Sequence, residues 1–243
     1  GRPTPERKSV MRAFENPSSL SYARLAGALY LVIALAGGFS ILYVPATLNV
    51  AGDPSATFEN IARHRGLFYA GLIGDVVMMT AEIFVSAMLY FMFRSVNPTL
   101  ALAACFARLM MVAVMGSMLF FHAGALALAD GSVPLGSFSE AQRLQLAGLM
   151  RHVHDAGVWI WQVFFCLHLM LSGLCPRLIG VGLLVGGTGY LVDSVQVFAL
   201  PEAAFLEAVK VALLIVVTAA ELSFALLLIL RGPRPSTPHV VQG

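Results

Sequence analysis

His154, Trp161 and His168 recur every seven positions in RHVHDAGVWIWQVFFCLHLMLSGLC, residues 151–175. Seven residues drift only ~20° around an α-helix, so one helical face carries both imidazoles, roughly 21 Å apart along the axis. The stretch is apolar enough to cross a bilayer. Ionisable groups are costly there, so they turn to a protein interior or a cavity and mark function. FARLMMVAVMGSMLFFHAG, residues 106–124, repeats the spacing with Arg108, Met115 and His122. If the two stretches are antiparallel helices joined by a symmetric loop, His122 is level with His154, Met115 with Trp161, and Arg108 with His168.

The remaining ionisable residues sort by depth. Asp75 and Asp193 fall roughly 10–14 Å below the outer ends of their apolar stretches, and Glu221 lies at a similar depth from an inner end. Two polar layers are predicted. The outer layer holds Asp75, His122, His154, Asp155 and Asp193. The inner layer holds Arg108, His168 and Glu221, with Glu82 near the midplane. Imidazoles and carboxylates with no buried cation suit a divalent metal such as Zn, Mn or Fe. Such a metal would activate water for hydrolysis of a lipid or small substrate. The same groups also suit a hydrogen-bonded structural network, and no HExxH motif decides between the two. Haem b is a third reading: His154 and His168 stand 14 residues apart, and His122 could share an iron with His154. No second histidine is left for His168, so at most one bis-histidine haem would fit. In the inner layer, Arg108 needs a carboxylate, which Glu221 or Glu82 can supply. A proton path through these groups is the alternative. No GxSxG elbow supports serine chemistry.

The elements that must position these groups follow from composition. Of 243 residues, 58% are hydrophobic and 12% charged, against about 25% charged in a typical soluble domain. The mean hydropathy is +0.82. This is the composition of an all-α, polytopic membrane protein whose partner is the lipid bilayer. The net charge of +2, with no basic patch carrying interleaved aromatics, gives no sign of nucleic-acid binding. Cys105, Cys166 and Cys175 form no CxxC motif and read as small core residues. Six segments are long enough to span: Leu25–Val44, Gly66–Phe93, Leu100–Leu128, Ala147–Leu174, Leu178–Leu200 and Phe205–Leu230. The first shows no clear cleavage site and reads as an uncleaved span. Residues 1–24 form a basic cytoplasmic segment, 25–232 the bundle of six transmembrane helices, and 233–243 a short flexible tail.

Lysine and arginine placement puts both termini in the cytoplasm. Arg2, Arg7, Lys8, Arg12, Arg24, Arg94, Arg177, Arg231 and Arg234 then lie inside, and Arg63, Arg65, Arg143, Arg151 and Lys210 outside. Two short helices are expected on the outer face. One is capped by Asp53 with Pro54 following, the other by a Ser139–Gln142 capping box. Gly180, Gly182, Gly186, Gly187 and Gly189 predict close helix–helix approach in the fifth span.

RLAGALYLVIALAG, FARLMMVAVMGSMLFF, HDAGVWIWQVFFCLHLMLSGLC and PRLIGVGLLVGGTGYLVDS together resemble a bacterial family of six-helix integral membrane proteins known only as a domain of unknown function. The resemblance covers most of Leu25 to Gly232. It includes Arg24, Asp75, Arg108, His154, His168, Asp193 and Glu221, whereas His122 departs from the family pattern. It implies the fold and a place in the bacterial inner membrane, and it brings no activity. A binding or catalytic site, metal-dependent or not, a proton or small-solute transporter or sensor, and a haem protein all remain open. Oligomeric state is open as well.

Overall fold

The structure, a computed structural model, describes residues 14–133, 135–171 and 177–232. Cys175, most of the basic N-terminal segment and the 233–243 tail lie outside the described residues. Among the described residues the chain is all-helical, with no strand. The elements are α1 (Leu20–Gly37), a π-helical turn (Gly38–Tyr43), α2 (Val44–Leu48), α3 (Pro54–Arg63), α4 (Arg65–Phe93), α5 (Pro98–Ala129), α6 (Glu140–Leu171), α7 (Arg177–Ala199) and α8 (Phe205–Leu230).

Among the described residues five helical stretches are long and apolar enough to cross a membrane: Leu20–Leu48, Arg65–Phe93, Pro98–Ala129, Leu178–Ala199 and Phe205–Leu230. This is a multi-pass membrane protein, and the sequence-based count of six spans is approximate. The sixth candidate, α6, has 32 residues, enough for a span, but its first half carries Glu140, Arg143, Arg151 and Asp155.

Local chemistry sets the element ends. Asp53 caps α3 by accepting from Ala56 N at 2.9 Å, with Pro54 at the first helical position, where its missing N–H costs nothing. The Ser139–Gln142 box is reciprocal: Ser139 N donates to Gln142 Oε1 at 2.8 Å, and Gln142 N to Ser139 Oγ at 3.3 Å. It does not open a separate surface helix. Gln142 continues unbroken into α6, because no glycine or proline intervenes before the apolar run. Gly232 ends α8 with φ 73°, a left-handed conformation that glycine adopts without strain. Replacing Asp53 by alanine should remove about 1 kcal/mol from the start of α3. Amide exchange at Ala56 and Thr57 should then quicken roughly fivefold, with α4 exchange unchanged.

The chain divides into two compact units. One comprises residues 1–31, 81–109 and 162–243, and the other residues 32–80 and 110–161. In the first, α7 lies against α8 through glycines. A Cβ added at Gly182 would meet Ala220 Cβ at 2.9 Å, one at Gly186 would meet Val217 N at 2.5 Å, and one at Gly189 would meet Leu213 Cβ at 2.7 Å. These glycines are packing surfaces that let two backbones touch. Cys166 is buried in this unit, as expected of a small apolar core residue, and Cys105 is half-buried. In the second unit, a core of Val44, Leu48, Phe58, Ile61, Phe68 and Ala147 ties α2 and α3 to the helices around them.

Candidate functional site

The second unit holds the site of interest, and its shape begins with Pro45. Proline has no N–H and its ring clashes with the carbonyl four residues back, here Ile41. The helix answers with the π turn over Gly38–Tyr43. Such turns are rare and occur frequently at functional sites. This one carries Ser40, which is buried.

Ser40, Asp75 from α4, His122 from α5 and His154 from α6 line one cavity of about 160 Å³. Met115 and Trp161 line it too. A smaller cavity of about 60 Å³ shares Ser40, Pro45, Asp75, His122, His154 and Asp155 as walls. An open cleft of about 610 Å³ shares Pro45 and Asp155 with both.

The His154 ring is oriented by the backbone. Its Nδ1 stands 3.0 Å from the carbonyl oxygen of Met118. A carbonyl can only accept, so Nδ1 carries the proton, and in the neutral ring Nε2 is left as an acceptor. His122 makes edge contact with His154 at 4.3 Å between centroids, and with Phe68 at 4.7 Å. His122 Nδ1 is buried without a hydrogen-bond partner among the described residues. Asp75 lies within electrostatic range of His154, and no described lysine or arginine pairs with it. Asp155 differs: its side chain is 51% exposed and faces Arg151 at 3.9 Å. It belongs to the rim, outside the half-buried group of Asp75, His122 and His154.

The predicted inner residues gather in the first unit. Arg108 is 0% exposed. Its Nε donates to the Glu82 carboxylate, and its Nη1 donates to Tyr30 Oη at 2.7 Å and to His168 Nε2 at 2.9 Å. His168 Nδ1 donates to the Ala104 carbonyl at 2.8 Å. With one nitrogen donating and the other accepting, His168 is held as the neutral tautomer. The guanidinium also stacks over the Tyr30 ring at 4.8 Å. Of the two carboxylates expected to answer Arg108, Glu82 makes the contact, and Glu221 acts on the guanidinium as a nearby charge. Asp193 lies in this first unit, whereas the other four predicted outer residues lie in the second. Asp193 has a cation, since Lys210 Nζ stands 3.0 Å away and also reaches Glu207 at 2.7 Å.

A family model described as a domain of unknown function (DUF4386) matches residues 25–232. The chain belongs to the DUF4386 family. No curated protein and no solved structure matches it.

Two expectations about this DUF4386 protein are corrected by its geometry. Among the described residues no three His, Cys, Asp or Glu side chains are grouped so as to hold a metal ion. Asp155 sits at the rim and Asp193 is engaged with Lys210, so the scattered ligand set predicted for Zn, Mn or Fe does not assemble. The haem reading loses its one bis-histidine site, and His168 offers no free nitrogen to replace it. His122 and His154 touch, leaving no gap for a porphyrin plane between axial ligands, and both nitrogens of His168 are engaged.

Of three further contributors to these sites in the DUF4386 chain, two carry weak sequence signals and one carries none. Tyr30 sits in an apolar run, where the signal is that a buried phenol needs a partner. Pro45 was visible as a helix breaker, and the π turn that carries Ser40 is its consequence. The Met118 carbonyl has no sequence signal.

Proposed function

We propose that this DUF4386 protein binds a small polar ligand in the Asp75–His154 cavity, with His154 Nε2 as the hydrogen-bond or proton acceptor. The observation that carries the reading is the bond from His154 Nδ1 to the Met118 carbonyl, which orients the ring on the wall of a cavity of about 160 Å³. An apolar cavity of about this size takes up benzene in another protein, which sets the scale of the ligand. We place both termini in the cytoplasm of a bacterial cell and the protein in its inner membrane, which turns this cavity outward. The support is the placement of nine lysines and arginines on the proposed inner side against five on the outer. A fixed imidazole next to a carboxylate also suits general-base attack of water on a bound substrate, so binding and hydrolysis share one site. A transport reading has less support. The cavity beside the Arg108 cluster is about 20 Å³, room for about one water.

Cyclohexanol, matched in size and carrying one donor, is a suitable probe. Ligand that binds only the folded state raises the melting midpoint by mass action. The wild-type midpoint in detergent should rise saturably with cyclohexanol. His154→Phe, which removes the acceptor, and Val158→Phe, which fills the cavity, should each abolish the rise. Equal stabilisation of all three proteins would sink the reading.

A further inference from the structure

The polar groups on the cavity wall are unequal in sign. Asp75 offers a carboxylate and His154 Nε2 a lone pair, with Ser40 and His122 as further polar residues of the wall. Among the described residues no lysine or arginine lines the larger cavity. Arg151 lines the smaller one, where it faces Asp155 at 3.9 Å. A carboxylate in an apolar enclosure without a cation is costly. The Arg108–Glu82 and Lys210–Asp193 pairs show this same chain answering two other acids with cations.

The rest of the wall is suited to a positive guest. Met79, Met115 and Met118 present polarisable sulfurs, and Trp161 an aromatic surface that attracts cations. A bare divalent ion is a poor match, because no three ligating side chains converge among the described residues. An organic ammonium is a better one. It carries one charge and up to three N–H donors, and its carbon body covers the methionines and the indole.

From Asp75 with no cation on it among the described residues, the His154 Nε2 acceptor and the Met/Trp wall, we infer that the ligand of this cavity is a small organic ammonium of roughly benzene size. The inference rests on the binding reading above and deepens it. Asp75 takes the charge, His154 Nε2 accepts one N–H, and the open cleft that shares Pro45 and Asp155 is the entrance.

The test compares three isosteric probes on the wild-type protein: cyclohexylammonium, cyclohexanol and cyclohexanecarboxylate, with affinities taken from the ligand dependence of the melting midpoint. The ammonium should bind at least about tenfold tighter than the alcohol, and the carboxylate should not bind. Asp75→Asn should erase the preference for the ammonium, whose affinity then falls to about that of the alcohol. The wild-type preference needs no variant, so it decides the matter even if Asp75→Asn does not fold. If the alcohol binds as well as the ammonium and both are lost in Val158→Phe, the ammonium inference is overturned and the cavity reading stands. If no probe binds, or all bind Val158→Phe unchanged, both are overturned.

Discussion

Replacing Arg108 with methionine should cost this protein about 3–5 kcal/mol, the range for removing one partner of a buried pair. The loss does not come from the attraction alone. Arg108 is 0% exposed and Glu82 4%, so the variant leaves a carboxylate buried with no cation on it. Tyr30 Oη and His168 Nε2 lose their donor in the same step. The companion variant separates these causes. Arg108→Met with Glu82→Gln removes both charges at nearly constant volume, and a buried pair replaced in this way is often tolerated. The double variant should therefore recover at least about 2 kcal/mol of the loss. Equilibrium unfolding of the purified protein reads both values. A double variant no more stable than the single one would assign the cost to the lost hydrogen bonds on Tyr30 and His168 instead of the orphaned carboxylate.

The contrast between this cluster and the Asp75 cavity explains what was legible in the sequence. Seven-residue spacing on two neighbouring helices placed Arg108 against His168 and His122 against His154, and these pairs are in contact. That reading works because a helix has a fixed rise and turn. Depth arithmetic, however, yields a level and says nothing about direction around the bundle. It therefore put Asp193 in one layer with Asp75, although α7 presents it to Lys210. It put Asp155 beside His154, although adjacent residues on a helix point about 100° apart, so the neighbour of this half-buried histidine lies on the rim. The π turn shows the other limit. Pro45 announces a disturbed helix, but which turn opens and which residue it carries inward depends on packing. Backbone acceptors such as the Met118 carbonyl are invisible to any reading of side chains, yet this one decides which nitrogen of His154 carries the proton.

Where backbones touch, a single side chain has a large effect, and Gly186 is the sharpest case. An added Cβ would sit 2.5 Å from Val217 N and 2.8 Å from Val217 Cα. These are backbone atoms of α8 and cannot rotate away, so the helices must separate. Gly186→Leu should cost about 3 kcal/mol, the upper part of the usual overpacking range. In a bilayer the penalty is not offset by a hydrophobic pull between helices, since lipid solvates leucine as well as a neighbouring helix does. Gly124, on α5, has nothing within 4 Å of an added Cβ. Gly124→Ala should therefore be neutral, or stabilising by about 0.5–1 kcal/mol through helix propensity alone. Measured together by thermal unfolding, the two variants separate contact from propensity. Similar behaviour of the pair would mean that the approach of α7 to α8 is not what holds this part of the first unit together.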